Sequence, residues 1–398
     1  MRKRWFIAAF APVLVLALIL AACAQPAPSP TPTPTPTPAP APKPAPSPTP
    51  SPSLAPAAWP PPNAKPAAEI LFAATEAGGT SHAMTAGFTN IYNRYAQGSK
   101  ASVEVLGGIG NIAKNFNESK AITLQGSNSR ANEMYAGKMK GLEGQKSRIR
   151  WIWGGGGPNG LTTATFHVLG DSGIKTFADL KGKRVGAETP AAPWVESMTD
   201  GSLKANGMTR NDIKWVVFTS ASEAAKQLIE KKIDAFAYVI GSSSQEIAAT
   251  PSKLTLLPVS DKELAEMLKL DPTFVRTTSA KGAYGQAADV PIVGLVRSWV
   301  VNWNMDDYTA YYMTKMMAEH PDEMLAIHKD AGGFVLKYVN SPEYAFAFPF
   351  HPGTIRFLME KGLWGATEKA KQKDALDREM KLYGSIPDMA KFKELGIE

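Results

Sequence analysis

Small and hydroxyl residues recur in this chain directly after short apolar runs. Thr80-Ser81 follow Ile70-Leu71-Phe72-Ala73-Ala74, and Gly107-Gly108 with Asn111 follow the run 101–106. Thr189-Pro190 follow 183–187, and Thr219-Ser220-Ala221-Ser222-Glu223, a capping-box pattern, follow 212–218. Gly241-Ser242-Ser243-Ser244 follow 233–240. Where such a run is a strand and the next segment a helix, the junction offers unpaired N–H groups, hydroxyls and the positive end of a helix dipole. That chemistry is binding: an anion is held there without lysine or arginine. Each junction alone is also ordinary N-capping. Five together point to a shared cleft.

Residue sets for covalent or metal chemistry are missing from the sequence. There is no G-x-S-x-G. The five histidines, His82, His167, His320, His328 and His351, show no metal-ligand spacing, and the single cysteine excludes a cysteine zinc site. Gly108-Ile109-Gly110-Asn111-Ile112-Ala113 fits a dinucleotide fingerprint in form, but no acidic residue stands about 20 positions on at a strand end. Gly154-Gly155-Gly156-Gly157-Pro158-Asn159-Gly160 lacks Gly-Lys-Ser/Thr and reads as a mobile turn near a lobe boundary. The expectation is a protein that is not an enzyme, with no cofactor and no metal.

The elements that must position these residues alternate. Met84, Phe88, Ile91, Tyr92 and Tyr95 recur at helical spacing after the first strand, and Ala224, Ala225, Leu228 and Ile229 form the inner face of a helix over 221–231. Val103 and Val105 share one face of the second strand. Strands alternating with helices predict an α/β architecture with largely parallel sheets, whose ligands bind at the carboxyl edge. Trp151, Trp153, Tyr312, Met313, Met316 and Met317 read as packing residues, and His351 before Pro-Gly as structural. Residues 366–398 read as an amphipathic helix packed on the first lobe.

Composition divides the 398 residues unevenly. Residues 26–66 hold 19 of the 32 prolines, so this stretch is an extended spacer, rising about 3.1 Å per residue. The formal charge of +7 contains five basic and no acidic residues from 1–66, leaving 38 basic against 36 acidic residues beyond. A nucleic-acid partner is therefore not expected. Arg2-Lys3-Arg4 and the apolar run Trp5 to Leu20 form a signal-peptide pattern over 1–22. Leu20-Ala21-Ala22-Cys23 resembles a bacterial lipobox, which implies an acylated Cys23 and attachment to the lipid bilayer on the extracytoplasmic side of a bacterial membrane.

Several segments resemble one family. Ala74-Thr75-Glu76-Ala77-Gly78-Gly79-Thr80 is similar to the opening motif of the TAXI family of TRAP-transporter solute receptors, and Leu106-Gly107-Gly108-Ile109-Gly110-Asn111 to its second glycine segment. Asp171-Ser172-Gly173-Ile174-Lys175-Thr176-Phe177-Ala178-Asp179-Leu180-Lys181-Gly182-Lys183-Arg184-Val185, Ile233-Asp234-Ala235-Phe236 and His351-Pro352-Gly353-Thr354-Ile355-Arg356-Phe357 continue the likeness in order. The departures are Glu76, Ser81-His82, the segment from Asn117 to Ser127, and Glu188-Thr189-Pro190-Ala191-Ala192-Pro193-Trp194.

The resemblance implies a type II periplasmic-binding fold: two α/β lobes joined by hinge strands with a ligand cleft between them. Lobe one would comprise 67–165 and 285–365, and lobe two 166–284, after a linker over 23–66 and before a C-terminal extension over 366–398. It implies a monomeric receptor that delivers a small, carboxylate-containing solute, glutamate or 2-oxoglutarate-like, to TRAP permease subunits. An ABC importer or a membrane sensor is the alternative partner. The expected ligand contacts are Thr75, Gly79, Thr80, Ser81, His82 and Asn111 from lobe one and Thr189, Ala191, Ser242 and Ser243 from lobe two, with Trp194 or Tyr238 on the apolar side. Glu76 and Glu188 would disfavour a dianion or recruit an amino group.

Overall fold

The computed structural model describes residues 59–61, 63–74, 80–106, 109–119, 121–156, 160–190, 192–341, 344 and 346–398. The leader, Cys23, nearly all of the spacer, Thr75, Glu76, Gly79, Gly107, Gly108 and Ala191 lie outside the described residues. Among the described residues no helix is long and apolar enough to cross a membrane.

The first half of the chain alternates strand and helix: β1 (Glu69–Ala74), α1 (Thr80–Tyr95), β2 (Lys100–Val105), α2 (Ile109–Glu118), β3 (Ile122–Ser127), α3 (Asn128–Ala136) and β4 (Ile149–Gly155). A second alternating run follows: β5 (Thr162–Leu169), β6 (Arg184–Glu188), α4 (Trp194–Ala205), β7 (Lys214–Val217), α5 (Ala221–Ile229), β8 (Ala235–Val239), α6 (Ser242–Ala248), β9 (Leu254–Leu256), α7 (Asp261–Leu270), β10 (Phe274–Ser279) and β11 (Val290–Leu295). The chain then returns with β12 (Arg297–Asn302), α8 (Asp307–Glu319), α9 (Pro321–Ile327), α10 (Pro352–Glu360), α11 (Ala366–Tyr383) and α12 (Met389–Glu394).

Two mixed sheets result, each over its own hydrophobic core. Sheet one runs β2-β1-β3-β12-β4, and sheet two β7-β6-β8-β5-β11-β10 with β9 beside β5. The two share a plan. Each places its second, first and third strands in parallel, then adds an antiparallel strand arriving from the other half: β12 against β3, and β5 against β8. The α/β class expected from the sequence is the observed one, but the sheets are mixed rather than largely parallel, because β12 and β5 run against their neighbours. The boundary drawn at Thr165 falls inside β5, and that at Tyr284 falls between β10 and β11.

The register places both crossings at one edge. Arg297 pairs with Ser127, the last residue of β3, and with Gly155, the last of β4. Leu295 pairs with Thr162, which opens β5, and Ala164 pairs with Val239, which ends β8. The chain therefore leaves and re-enters sheet one where the parallel strands end. Gly154 and Gly155 belong to β4 rather than to the turn expected there, because the run pairs with Ser298 and Arg297. Gly156 has φ +98°, and a Cβ on it would stand 2.7 Å from the Arg297 Cβ, so glycine is required for this approach.

Three further features have local causes. Strand β2 is a sheet edge, so Val105, on one face with Val103, is 45% exposed. His351 caps α10 through its side chain, which accepts from the Gly353 amide. The C-terminal segment forms two helices, not one, and buries charge as well as apolar surface: Arg150 at the start of β4 is fully buried and donates to Glu379 (2.7 and 3.0 Å) and Asp388 (2.9 and 2.5 Å).

Candidate functional site

At the carboxyl edge of sheet one, α1 opens at Thr80, whose side chain is not among the described ones. Ser81 and His82 are half-buried in its first turn. Arg297 Nη2 donates to Ser81 Oγ at 3.4 Å, linking α1 to the first residue of β12. Ser127 caps α3 by accepting from the Arg130 amide. Asn128 opens that helix and donates its backbone amide to the Val296 carbonyl, between the two sheets. This sixth junction, β3 to α3, was not among the five expected from the sequence.

Gln125 and Asn128 are each 1% exposed, and neither end of either side-chain amide has a hydrogen-bond partner. The hydroxyls of Ser298, which pairs with Gly126, and of Thr162 are equally unpartnered. Four orphaned polar side chains therefore stand on the strand ends where the sheets exchange strands, Gln125 on the same face as Arg297 and Ser298 on the other. Leaving a buried polar group unpaired costs about 1–3 kcal/mol, so such a cluster demands a functional reason. Arg297 adds a guanidinium at the same edge. Asn111 does something different: exposed on α2, it donates to the Leu106 carbonyl at 2.8 Å and fastens the β2–α2 turn.

Sheet two answers with three junctions. Glu188 ends β6 and accepts from Lys140 Nζ (2.9 Å) and Trp215 Nε1 (3.0 Å). The Lys140 hydrogen bond, with that of Trp215, holds the Glu188 carboxyl below its usual range. Lys140 follows α3, so this ion pair spans the two sheets, and the charge of Glu188 is matched rather than free to repel a dianion. Thr189 is buried, and Trp194 is 4% exposed in the second core, its ring 5.7 Å from that of Tyr238. Ser220 caps α5 by accepting from the Glu223 amide. At α6, Ser242 is exposed and Ser243 buried; Ser244 Oγ accepts from the Gly241 amide and lies 2.7 Å from Nε2 of buried His167. Burial pushes the His167 imidazole down to about 4, so it is neutral at physiological pH.

The structure thus brings Ser81, Arg297, Gln125, Ser127 and Asn128 to one edge, and Thr189, Trp194, Tyr238, Ser242 and Ser243 to the corresponding edge of sheet two. Arg297, Gln125 and Asn128 are the residues that sequence reasoning missed. Among the described residues no three His, Cys, Asp or Glu side chains are placed to hold a metal ion. The groups assembled are hydrogen-bond donors and acceptors around one guanidinium, an equipment for holding a ligand.

Two α/β halves of matching strand order, joined by paired crossing strands at their carboxyl edges, define the type II periplasmic-binding fold. The family model described as NMT1-like matches residues 72–362, and the chain belongs to the NMT1-like family. Among solved structures it is similar to the periplasmic aliphatic sulphonate binding protein SsuA from Escherichia coli (14% identity, TM-score 0.40, 81% of this chain and 90% of that one). A TctC solute binding protein from Polaromonas is similar at 15% identity and TM-score 0.45, over 67% of this chain and 90% of that one. The alkanesulfonate-binding protein SsuA from Xanthomonas axonopodis pv. citri, bound to MOPS, is similar at 12% identity and TM-score 0.38, over 84% and 96%.

Proposed function

We propose that this chain is an extracytoplasmic solute receptor. It captures a small carboxylate-containing molecule between the two sheets and delivers it to a TRAP-type permease. The observation that carries the reading is the set of buried, unpartnered amides of Gln125 and Asn128 beside Arg297. A carboxylate is the complement of a guanidinium flanked by N–H and O–H donors. Both amides are 1% exposed, so a solute reaches them when the halves part, and closure then removes it from water. Residues 67–165 with 285–365, and 166–284, are the proposed lobes. Ligand contacts that bridge them favour the closed form. Lipid attachment through Cys23 would keep the receptor near its permease.

The choice of a TRAP permease rests on the likeness of the segments around Gly78-Gly79, 171–185 and 351–357 to the TAXI receptors. Membrane subunits that co-purify with the chain separate this partner from an ABC importer. Native mass spectrometry of the full chain tests the binding claim. The expected result is a co-purifying small carboxylate that is lost from Arg297→Ala. A ligand retained in that variant, or one without an acidic group, contradicts the proposal.

A further inference from the structure

A cavity of about 260 Å³ lies between α3 of the first half and α4 and α7 of the second. Its walls share no residue with the strand-end set. Glu133 and Asn132 line it from α3, Lys138 from just beyond, Glu196 and Asp200 from α4, and Asp271 from the end of α7. Four carboxylates thus face one lysine.

The charges are unequally matched. Arg210 holds both Glu196 and Asp200. Asp271 is 3% exposed; its Oδ1 accepts from the Thr273 amide (3.0 Å) and hydroxyl (2.6 Å), while its Oδ2 is buried without any hydrogen-bond partner. A desolvated carboxylate oxygen in a cavity wall calls for a donor or a cation.

Across the cavity, burial pushes the Glu133 carboxyl up to about 7; Arg130 opposes this, and Asp271 and Glu196 reinforce it. The site therefore attracts positive charge, of which a proton is the smallest carrier. Among the described residues these carboxylates do not converge on one metal-ion position. A cation that spreads its contacts over the cavity fits better.

We infer that this cavity is a binding site for a small organic ammonium cation, held between Glu133 of one half and Asp271 of the other. Because its two anchors belong to different halves, the cation favours their closed arrangement. It does not depend on which solute occupies the strand-end site.

Titration calorimetry of the full chain with 1,4-diaminobutane at low ionic strength tests this. At about pH 8 saturable one-to-one binding is expected. At about pH 6 it weakens, because the ammonium must displace the proton on Glu133; Arg130, Glu196 and Asp271 are the charged groups that act on that carboxyl, and Lys138 and Asp200 line the same cavity. Asp271→Asn is expected to weaken binding about tenfold, a loss typical of one charged hydrogen bond. Glu133→Gln is expected to weaken it and abolish the pH dependence, and it carries the test alone if Asp271→Asn does not fold. Arg297→Ala is expected to leave this binding unchanged. No saturable heat, wild-type affinity retained in both carboxylate variants, or tighter binding of magnesium chloride than of the diamine would overturn the inference.

Discussion

The two ends of strands β4 and β12 bury polar side chains in opposite ways. At one end Arg150, opposite Val301, is enclosed with Glu379 and Asp388, and five donor–acceptor contacts satisfy it, counting the bond to the Ile149 carbonyl. At the other end, five residues away or about 17 Å of strand, Arg297 pairs with Ser127 between Gln125 and Asn128, whose side-chain polar atoms have no partners. The first arrangement closes on itself and can serve only the fold. The second is incomplete until something else supplies donors and acceptors. The two ends of the same strands thus differ in how the side chains around their arginines are satisfied.

The largest effect that would sharpen this contrast is on stability. Arg150→Ala leaves buried Asp388 without its cation and Glu379 with Arg148 alone, and is expected to cost about 3–5 kcal/mol in denaturant unfolding. Solute affinity of the surviving folded protein should not change. Arg297→Ala is the mirror experiment. It should weaken solute binding roughly 10- to 100-fold, the worth of a charged hydrogen-bond pair at about 1.5–3 kcal/mol, with little change in melting temperature. Calorimetry and thermal unfolding of the two variants together break the comparison if either moves both quantities.

Gln125→Leu gives a smaller effect of mixed sign. Removing an orphaned amide should leave stability unchanged or raise it by up to about 1 kcal/mol, while solute affinity falls about tenfold. A loss of stability with affinity intact would place Gln125 in the structural class.

The smallest effect is a pH dependence that belongs to the fold alone. Burial pushes both His167 and His351 down to about 4. Below an unfolded pKa of about 6.5 the unfolded chain binds protons at these two positions that the folded one does not. The histidines' contribution to stability is therefore complete above that pH and is lost as pH falls toward 4, while Glu133 works in the opposite sense. From about pH 7 to about pH 6 the loss is about 0.7 kcal/mol per histidine. Replacing either with Gln should flatten the curve.

The central parallel strands are legible in the sequence because they are largely buried and read as apolar runs: Ile70 to Ala74, Val185 to Ala187 and Ala235 to Ala237. Strands β3 and β12 are less so, since Gln125-Gly126-Ser127 and Arg297-Ser298 put polar residues at the edge where the sheets meet. The helix starts are legible through Ser220, Thr80-Ser81 and Ser242-Ser243. Arg297 is not, because its partner Ser81 lies 216 positions away and only the fold brings them together. Asn111 illustrates the converse: the right residue type at the right junction, spent on its own turn. The burial of Trp194 against Tyr238 likewise depends on a strand 40-odd positions distant, which no local pattern reveals.

The central claim is that the orphaned amides at the crossing strands receive a solute carboxylate beside Arg297. A crystal structure of the full chain with the molecule that co-purifies tests it most directly. The account predicts that carboxylate within hydrogen-bond distance of the Arg297 guanidinium, with at least one of the Gln125 and Asn128 amides completing its shell. A solute bound elsewhere, with both amides still unpartnered, would contradict it.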